Sequence, residues 1–176
     1  MIAAITADLG REGVECLIRS MEPDWAIRAE RRLYYPYFWL QLRYAANTSL
    51  GRSVLGLSCF VDLRTRVGAT TDPFELEHID PDERDIITPR VDEAEARRIA
   101  ERYTGYVLRN RRRALVAPTI DVVSCQMVHK PFWIVTCSRA HQPSFRVLVD
   151  GITGGFYPLS SHSPRGALAA RGRSNA

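Results

Sequence analysis

A chain of 176 residues, 45% hydrophobic and 25% charged, has ordinary globular composition with enough apolar material for one good core or two small ones, which excludes disorder of the whole. No stretch approaches the roughly 18 apolar residues of a membrane span, and Met1–Asp8 lacks the basic region of a signal peptide, so a cytoplasmic protein without a membrane partner is expected. The net charge of +4 gathers at the C-terminal end, where Arg165, Arg171 and Arg173 stand without an acid. The remainder is nearly neutral, and Lys130 is the one lysine among 24 basic residues, which counts against nucleic acid as a partner because such binding needs a concentrated basic face.

In chain order, Asp8 to Met21 reads as a short helix, with Asp8 or Thr6 as N-cap and Val14, Leu17 and Ile18 on its apolar side. From Trp25 the pattern becomes alternation, with Trp25, Ile27, Ala29 and Leu33 on one parity. At Pro36 the apolar parity switches to Phe38, Leu40, Leu42 and Tyr44, and a proline cannot donate to a ladder, so a bulge, an edge or a turn is expected there. Ala45 to Gly51 reads as a loop and Val54 to Leu63 as a strand that ends in a turn. Asp72 to Glu95 holds ten acids against Arg84 and Arg90, and reads as an exposed connector broken by Pro73, Pro81 and Pro89. Thr88 and Pro89 open a second helix with Ala96, Ile99, Ala100 and Tyr103 on its stripe; it runs to about Arg109, and Arg109, Arg111, Arg112 and Arg113 meet its C-terminal dipole. Thr119 to His129, Phe132 to Arg139 and Phe145 to Asp150 are strands, and a small polar tail follows.

Two stretches repeat each other. Tyr34-Tyr35-Pro36-Tyr37-Phe38-Trp39 precedes Val61-Asp62-Leu63-Arg64-Thr65, and His129-Lys130-Pro131-Phe132-Trp133-Ile134 precedes Val149-Asp150-Gly151-Ile152-Thr153. This ordered pair points to an internal duplication. The expected domains are residues 1–72 as a first repeat, 73–88 as an acidic connector, 89–159 as a second repeat and 160–176 as a disordered basic tail.

The second copy, an Asp-Glu-Ala-x-Ala type helix followed by strands that end in Val149-Asp150-Gly151-Ile152-Thr153-Gly154, resembles the PepSY module. The resemblance covers roughly residues 88–158 and reaches 8–70, where Arg66 replaces the glycine after Thr65. It implies an α+β protein of two related helix-plus-antiparallel-sheet units, cystatin-like and in tandem. It also implies a binding or regulatory module without catalytic residues of its own.

Cys125-x3-His129-x7-Cys137-x3-His141 has the residue types of a zinc site. A hairpin at Lys130-Pro131 would set Cys125 opposite Cys137 but leave the histidines at opposite ends, so neither metal nor any other cofactor is expected. Rings of both parities in the landmark runs cannot all be buried under one helix. Tyr35, Tyr37, Trp39 and Trp133 form the expected outward set and, with His129, the candidate ligand or partner-binding residues. The functional expectation is a non-catalytic binding or accessory protein using an aromatic sheet face or an inter-repeat cleft to hold a protein, a peptide or a small apolar ligand, with a homodimer among the candidate assemblies. The alternative is a small cystatin-like enzyme whose helix–sheet cavity holds a hydrophobic substrate beside His129, Tyr35 or Asp121.

Overall fold

Strand-forming runs dominate the chain, and two of them are far longer than their prolines suggest. The computed structural model describes residues 1–48, 51–112 and 119–159, with side chains outside 46–48, 51–53 and 111–112. The elements are β1 (Ile2–Ile5), α1 (Arg11–Met21), β2 (Ala26–Thr48), β3 (Gly51–Asp62), β4 (Gly68–Thr70), β5 (Leu76–Ile79), a 3-10 turn (Glu83–Asp85), α2 (Glu93–Arg112), β6 (Ile120–Arg139), β7 (Gln142–Asp150) and β8 (Phe156–Pro158). The strands form one sheet in the order β4-β3-β2-β6-β1-β5, with β7 and β8 continuing from β6. β1 joins β6 in parallel, and the hairpins β2–β3, β3–β4, β6–β7 and β7–β8 are antiparallel.

Pro36 and Pro131 sit inside β2 and β6 without breaking them, and the hydrogen bonds say why. Pro36 C=O accepts from Leu63 N–H at 3.3 Å and Pro131 C=O from Gly151 N–H at 2.9 Å, but neither proline has an N–H to return. The carbonyls of Leu63 and Gly151 therefore need other donors. Arg90 N–H, just before α2, donates to Leu63 at 2.8 Å, and Leu9 N–H, just before α1, donates to Gly151 at 2.9 Å. Each proline thus stands where its ladder ends and leaves an acceptor that anchors the segment leading into a helix.

By its contacts the chain divides into two units. One comprises Met1–Ala4, Pro36–Asp80 and Ile87–His129. Its core places Phe38, Leu40 and Leu42 of β2 and Cys59 and Val61 of β3 under Ala96 and Ala100 of α2, whose small side chains let the helix lie close to the sheet. The other comprises Ile5–Tyr35, Pro81–Ile86 and the chain from Lys130. There Val14 and Ile18 of α1 pack on Trp25, Ile27, Ala29, Trp133, Val135, Val147 and Val149. Each large aliphatic side chain so buried stabilises the fold by about 1.5–3 kcal/mol.

The expected architecture, two helix-plus-antiparallel-sheet units following one another in a PepSY-like or cystatin-like α+β protein, is corrected by this topology. Strand outweighs helix, the eight strands form one mixed sheet, and β2 and β6 each pass from one contact unit into the other. The physical reason lies in the proline-freed carbonyls: the segment before α1 anchors on the Asp150 hairpin and that before α2 on the Asp62 hairpin, so helix and hairpin do not alternate as closed units.

Local expectations shift for similar reasons. α1 starts at Arg11 with Gly10 at its N-cap, rather than at Asp8 or Thr6, because Leu9 is held extended on Gly151. α2 starts at Glu93, where the Asp92 carboxylate accepts from Glu95 N–H at 2.8 Å. Thr88, expected as the cap, instead gives its carbonyl to Arg64. The stretch read as a connector contains β5 and the 3-10 turn, and Ile86 bridges to Tyr34. The loop read at Ala45–Gly51 is strand through Thr48 and again from Gly51. Residues 49–50, Arg113 and the tail 160–176 lie outside the described residues, as do the side chains of Arg111 and Arg112. Among the described residues no helix is long and apolar enough to cross a membrane.

The two Val-Asp-x-x-Thr landmarks form the same turn. Asp62 Oδ1 accepts from Arg64 and Thr65 N–H, and Asp150 Oδ1 from Ile152 and Thr153 N–H. The register repeats as well, with Tyr37 opposite Asp62 and Phe132 opposite Asp150, then Val61 opposite Gly68 and Val149 opposite Phe156.

Candidate binding face

In the unit containing α2, β2 and β3 pair without a bulge from Tyr37↔Asp62 to Thr48↔Gly51. Alternation therefore sorts the side chains strictly. Phe38, Leu40, Leu42, Cys59 and Val61 go to the helix, and Tyr37, Trp39, Gln41 and Arg43 go to the opposite face beside Asp62, Phe60, Ser58 and Gly56. This unit's helix leaves that second face uncovered.

At one end of the face is a ring cluster. Phe74, from the segment after β4, folds over Trp39 at 4.7 Å between centroids and over Phe60 at 5.0 Å, and Phe60 meets Tyr37 at 5.5 Å. All four are half-buried. The Trp39 indole N–H is shut off from solvent and has no acceptor among the described residues, an uncommon state for a buried donor. One register step along, a groove of about 410 Å³ opens, lined by Gln41, Arg43, Ser58, Thr71, Val123 and the strand at Gly56. Its size lies in the range of small-molecule sites. The floor is low because Gly56 has nothing within 4 Å of where a Cβ would stand. Arg43 is exposed and makes no ion pair among the described residues, and Val123 is 49% exposed.

No family model matches this chain, and neither a curated protein nor a solved structure is similar to it at a significant level.

The residues expected to bind are not gathered in one place. Trp39 and Tyr37 lie on the uncovered face. Tyr35 is half-buried in the other unit, edge-on to Phe132 at 6.0 Å. Trp133, expected to point outward, is core: it is 6% exposed, donates its indole N–H to the Leu9 carbonyl, and has the Arg32 guanidinium 4.8 Å from its ring. Alternation decides this, because Trp133 lies opposite Val149 and both turn toward α1. His129 is buried, and burial lowers its pKa against the raising effect of its bond to Ala3. Its Nδ1 sits 3.4 Å from the Ala3 carbonyl, which accepts, so the proton is on Nδ1. It serves the β1–β6 junction. Asp121, an acid–base candidate in the enzymatic alternative, is exposed on β6.

The hairpin that would have joined Cys125 to Cys137 does not form, since β6 is continuous through Pro131. Among the described residues no group of three His, Cys, Asp or Glu side chains is placed to hold a metal. All four cysteines are free thiols. Burial pushes Cys59 and Cys137 up to about 11, with Glu22 adding to the effect at Cys137. Titration of the native protein with a disulfide reagent at pH 8 should therefore modify exposed Cys16 first and leave Cys59 and Cys137 at least about a hundredfold slower until denaturant is added. Fast labelling of either buried thiol would mean local opening of its strand.

Gln41, Arg43, Gly56, Ser58, Thr71 and Phe74 escaped the sequence reading. For the β2 and β3 members the signal was present as the second parity of each strand. For Phe74, inside the acidic, proline-broken stretch, and Thr71, just before it, no periodic signal existed.

Proposed function

We propose that this is a non-catalytic binding protein whose uncovered β2–β3 face holds a ligand combining a flat apolar group with an anionic or acceptor group, either free or as part of a peptide. The observation that carries this reading is a groove one register step from the Trp39–Phe60–Phe74 rings on the same face, lined by one cation, Arg43, that makes no ion pair among the described residues. Rings on a rigid sheet give contact area at little entropic cost, and the guanidinium orients the acceptor end. Ser58 and Thr71 supply hydroxyls, but the lining residues include no histidine, carboxylate or cysteine to take a proton, which favours binding over catalysis. Free thiols favour the cytoplasm, and the near-neutral chain before the tail disfavours nucleic acid.

The test uses 1-anilinonaphthalene-8-sulfonate, an apolar ring system carrying one anion. It should bind the native protein once, with at least about tenfold weaker binding to Arg43→Ala and to Gly56→Leu, which fills the groove floor, while circular dichroism stays unchanged. Equal binding to wild type and both variants overturns the assignment.

A further inference from the structure

We propose that residues 71–75 form a lid on the binding face, in which Phe74 holds the place of the ligand's flat group and swings out to admit it, and that the ligand is a free aromatic anion about 10 Å long. The lid rests on the binding reading given above. β4 and β5 lie at opposite ends of the strand order β4-β3-β2-β6-β1-β5, yet β4 ends at Thr70 and β5 begins at Leu76. The chain between them crosses the sheet without a turn, and Phe74 fixes the side it takes: its ring lies on Trp39 and Phe60, on the face away from α2.

Both ends of this span are anchored. Thr71 N–H donates to Ser58 C=O at 3.2 Å, and Leu76 enters β5. Between the anchors, Asp72 to Glu75 make no backbone–backbone hydrogen bond among the described residues, and Asp72, Pro73 and Glu75 are exposed. The half-buried Phe74 ring is what holds the span down. A segment tied at both ends and loose between them can lift one ring without opening either ladder. It makes room for a ring-sized group but not for a polypeptide threading beneath it, which selects a small molecule.

The closed state carries a defect that a ligand removes. The Trp39 indole N–H is shut off from solvent without an acceptor among the described residues, and the phenyl ring packed on Trp39 has no lone pair to offer. An acceptor on an incoming ring system satisfies it. Trp39, Gln41 and Arg43 follow one another on this face, opposite Phe60, Ser58 and Gly56. At about 3.3 Å per residue, Arg43 stands about 13 Å from Trp39 along the strand. A ring system of about 10 Å seated on Trp39 and Phe60 therefore brings an anion at its far end to the Arg43 guanidinium, across the groove lined by Gln41, Ser58 and Thr71.

The probe is 6-methoxy-2-naphthoate, which has an acceptor oxygen at one end and a carboxylate at the other. Phe74→Ala removes the competing ring, and Pro73→Gly loosens the closed span while keeping every ring. A lid lowers apparent affinity by the fraction of molecules that are closed, so Phe74→Ala should bind at least about tenfold tighter than wild type and Pro73→Gly at least about threefold. Arg43→Ala should abolish both gains. Phe74→Ala should also prefer the probe over 2-naphthoate, which lacks the acceptor, at least about threefold, and adding Trp39→Phe should erase that preference. Unchanged or weaker binding by Pro73→Gly overturns the lid, because a wall of the site loses affinity when loosened whereas a competitor gains it. An equal preference with and without the indole N–H overturns the Trp39 contact. Arg43-dependent binding of 1-anilinonaphthalene-8-sulfonate by wild type would leave the binding face standing after either failure, and its absence from both wild type and Phe74→Ala would overturn face and lid together.

Discussion

Replacing Lys130 with methionine should destabilise the fold by about 3 kcal/mol, read as a shift of the urea midpoint followed by tryptophan fluorescence. Lys130 Nζ lies 2.6 Å from Asp150 Oδ2, with side-chain exposures of 21% and 3%. Removing the ammonium leaves a carboxylate in the interior, and breaking a buried pair from one side costs about 3–5 kcal/mol. The lower end applies because Asp150 keeps three other donors: Ile152 N–H, Thr153 N–H and the Thr153 hydroxyl at 2.6 Å. Asp150→Asn should cost a comparable amount, since Lys130 then loses its counter-charge. The double variant should cost clearly less than the two together, because both removed groups belong to one interaction. A loss under about 1 kcal/mol for K130M would mean that water already solvates the pair.

The same groups set the acid limit of the fold. Burial alone would raise the Asp150 pKa, but its bonds from Lys130, Thr153 and Ile152 outweigh burial and hold it below the usual carboxylate range. The unfolded chain protonates at about pH 3.9, so this contribution is complete above that value and is lost as pH falls through the lower folded one. His129 acts earlier. Because burial holds its folded pKa below the ordinary value near 6.5, the unfolded chain takes up its proton first, and stability declines as pH drops below about 6.5. Wild-type stability should thus fall in two steps on acidification. In K130M the acid step should move to higher pH and the step near 6.5 should stay.

What was legible in the sequence is what short-range chemistry writes there. The Asp-x-x-Thr turns need only an Asp whose side chain reaches the next two or three N–H groups, and both formed as read, in matching register. A parity change is real but falls ahead of Pro36, where it was expected: buried positions are odd through Ala29 and already even from Tyr34. The sequence could not say that β2 and β6 continue through their prolines, because that depends on donors from Arg90 and Leu9, distant in the chain. Helix partnership was illegible for the same reason. The binding face was half legible, since alternation put Tyr37 and Trp39 away from the core, but alternation equally buries Trp133, and only the register with Val149 distinguishes the two cases.

Gly154→Val should be the most damaging single change in either turn, at about 3 kcal/mol, and Arg66→Gly at the equivalent position should stabilise by about 0.5–1 kcal/mol. Gly154 and Arg66 both occupy the left-handed region, at φ 71° and 64°, and both donate N–H to the turn aspartate carbonyl at 3.0 Å. The backbone requirement is therefore the same, and a non-glycine residue there costs about 1 kcal/mol or more, the larger figure for a β-branched one. The surroundings differ. A Cβ on Gly154 would come within 2.9 Å of Leu17 Cδ2 and 3.5 Å of Leu9 Cδ1, both packed against the α1 core, so strain adds to overpacking. Arg66 reaches out to Glu95 at 3.5 Å with 63% of its side chain exposed, a contact worth little, so glycine relieves strain at small cost. Paired urea titrations should move the two variants' midpoints in opposite directions. Equal losses would show that the turns, though alike in hydrogen bonding, do not share the backbone requirement that their matching φ values imply.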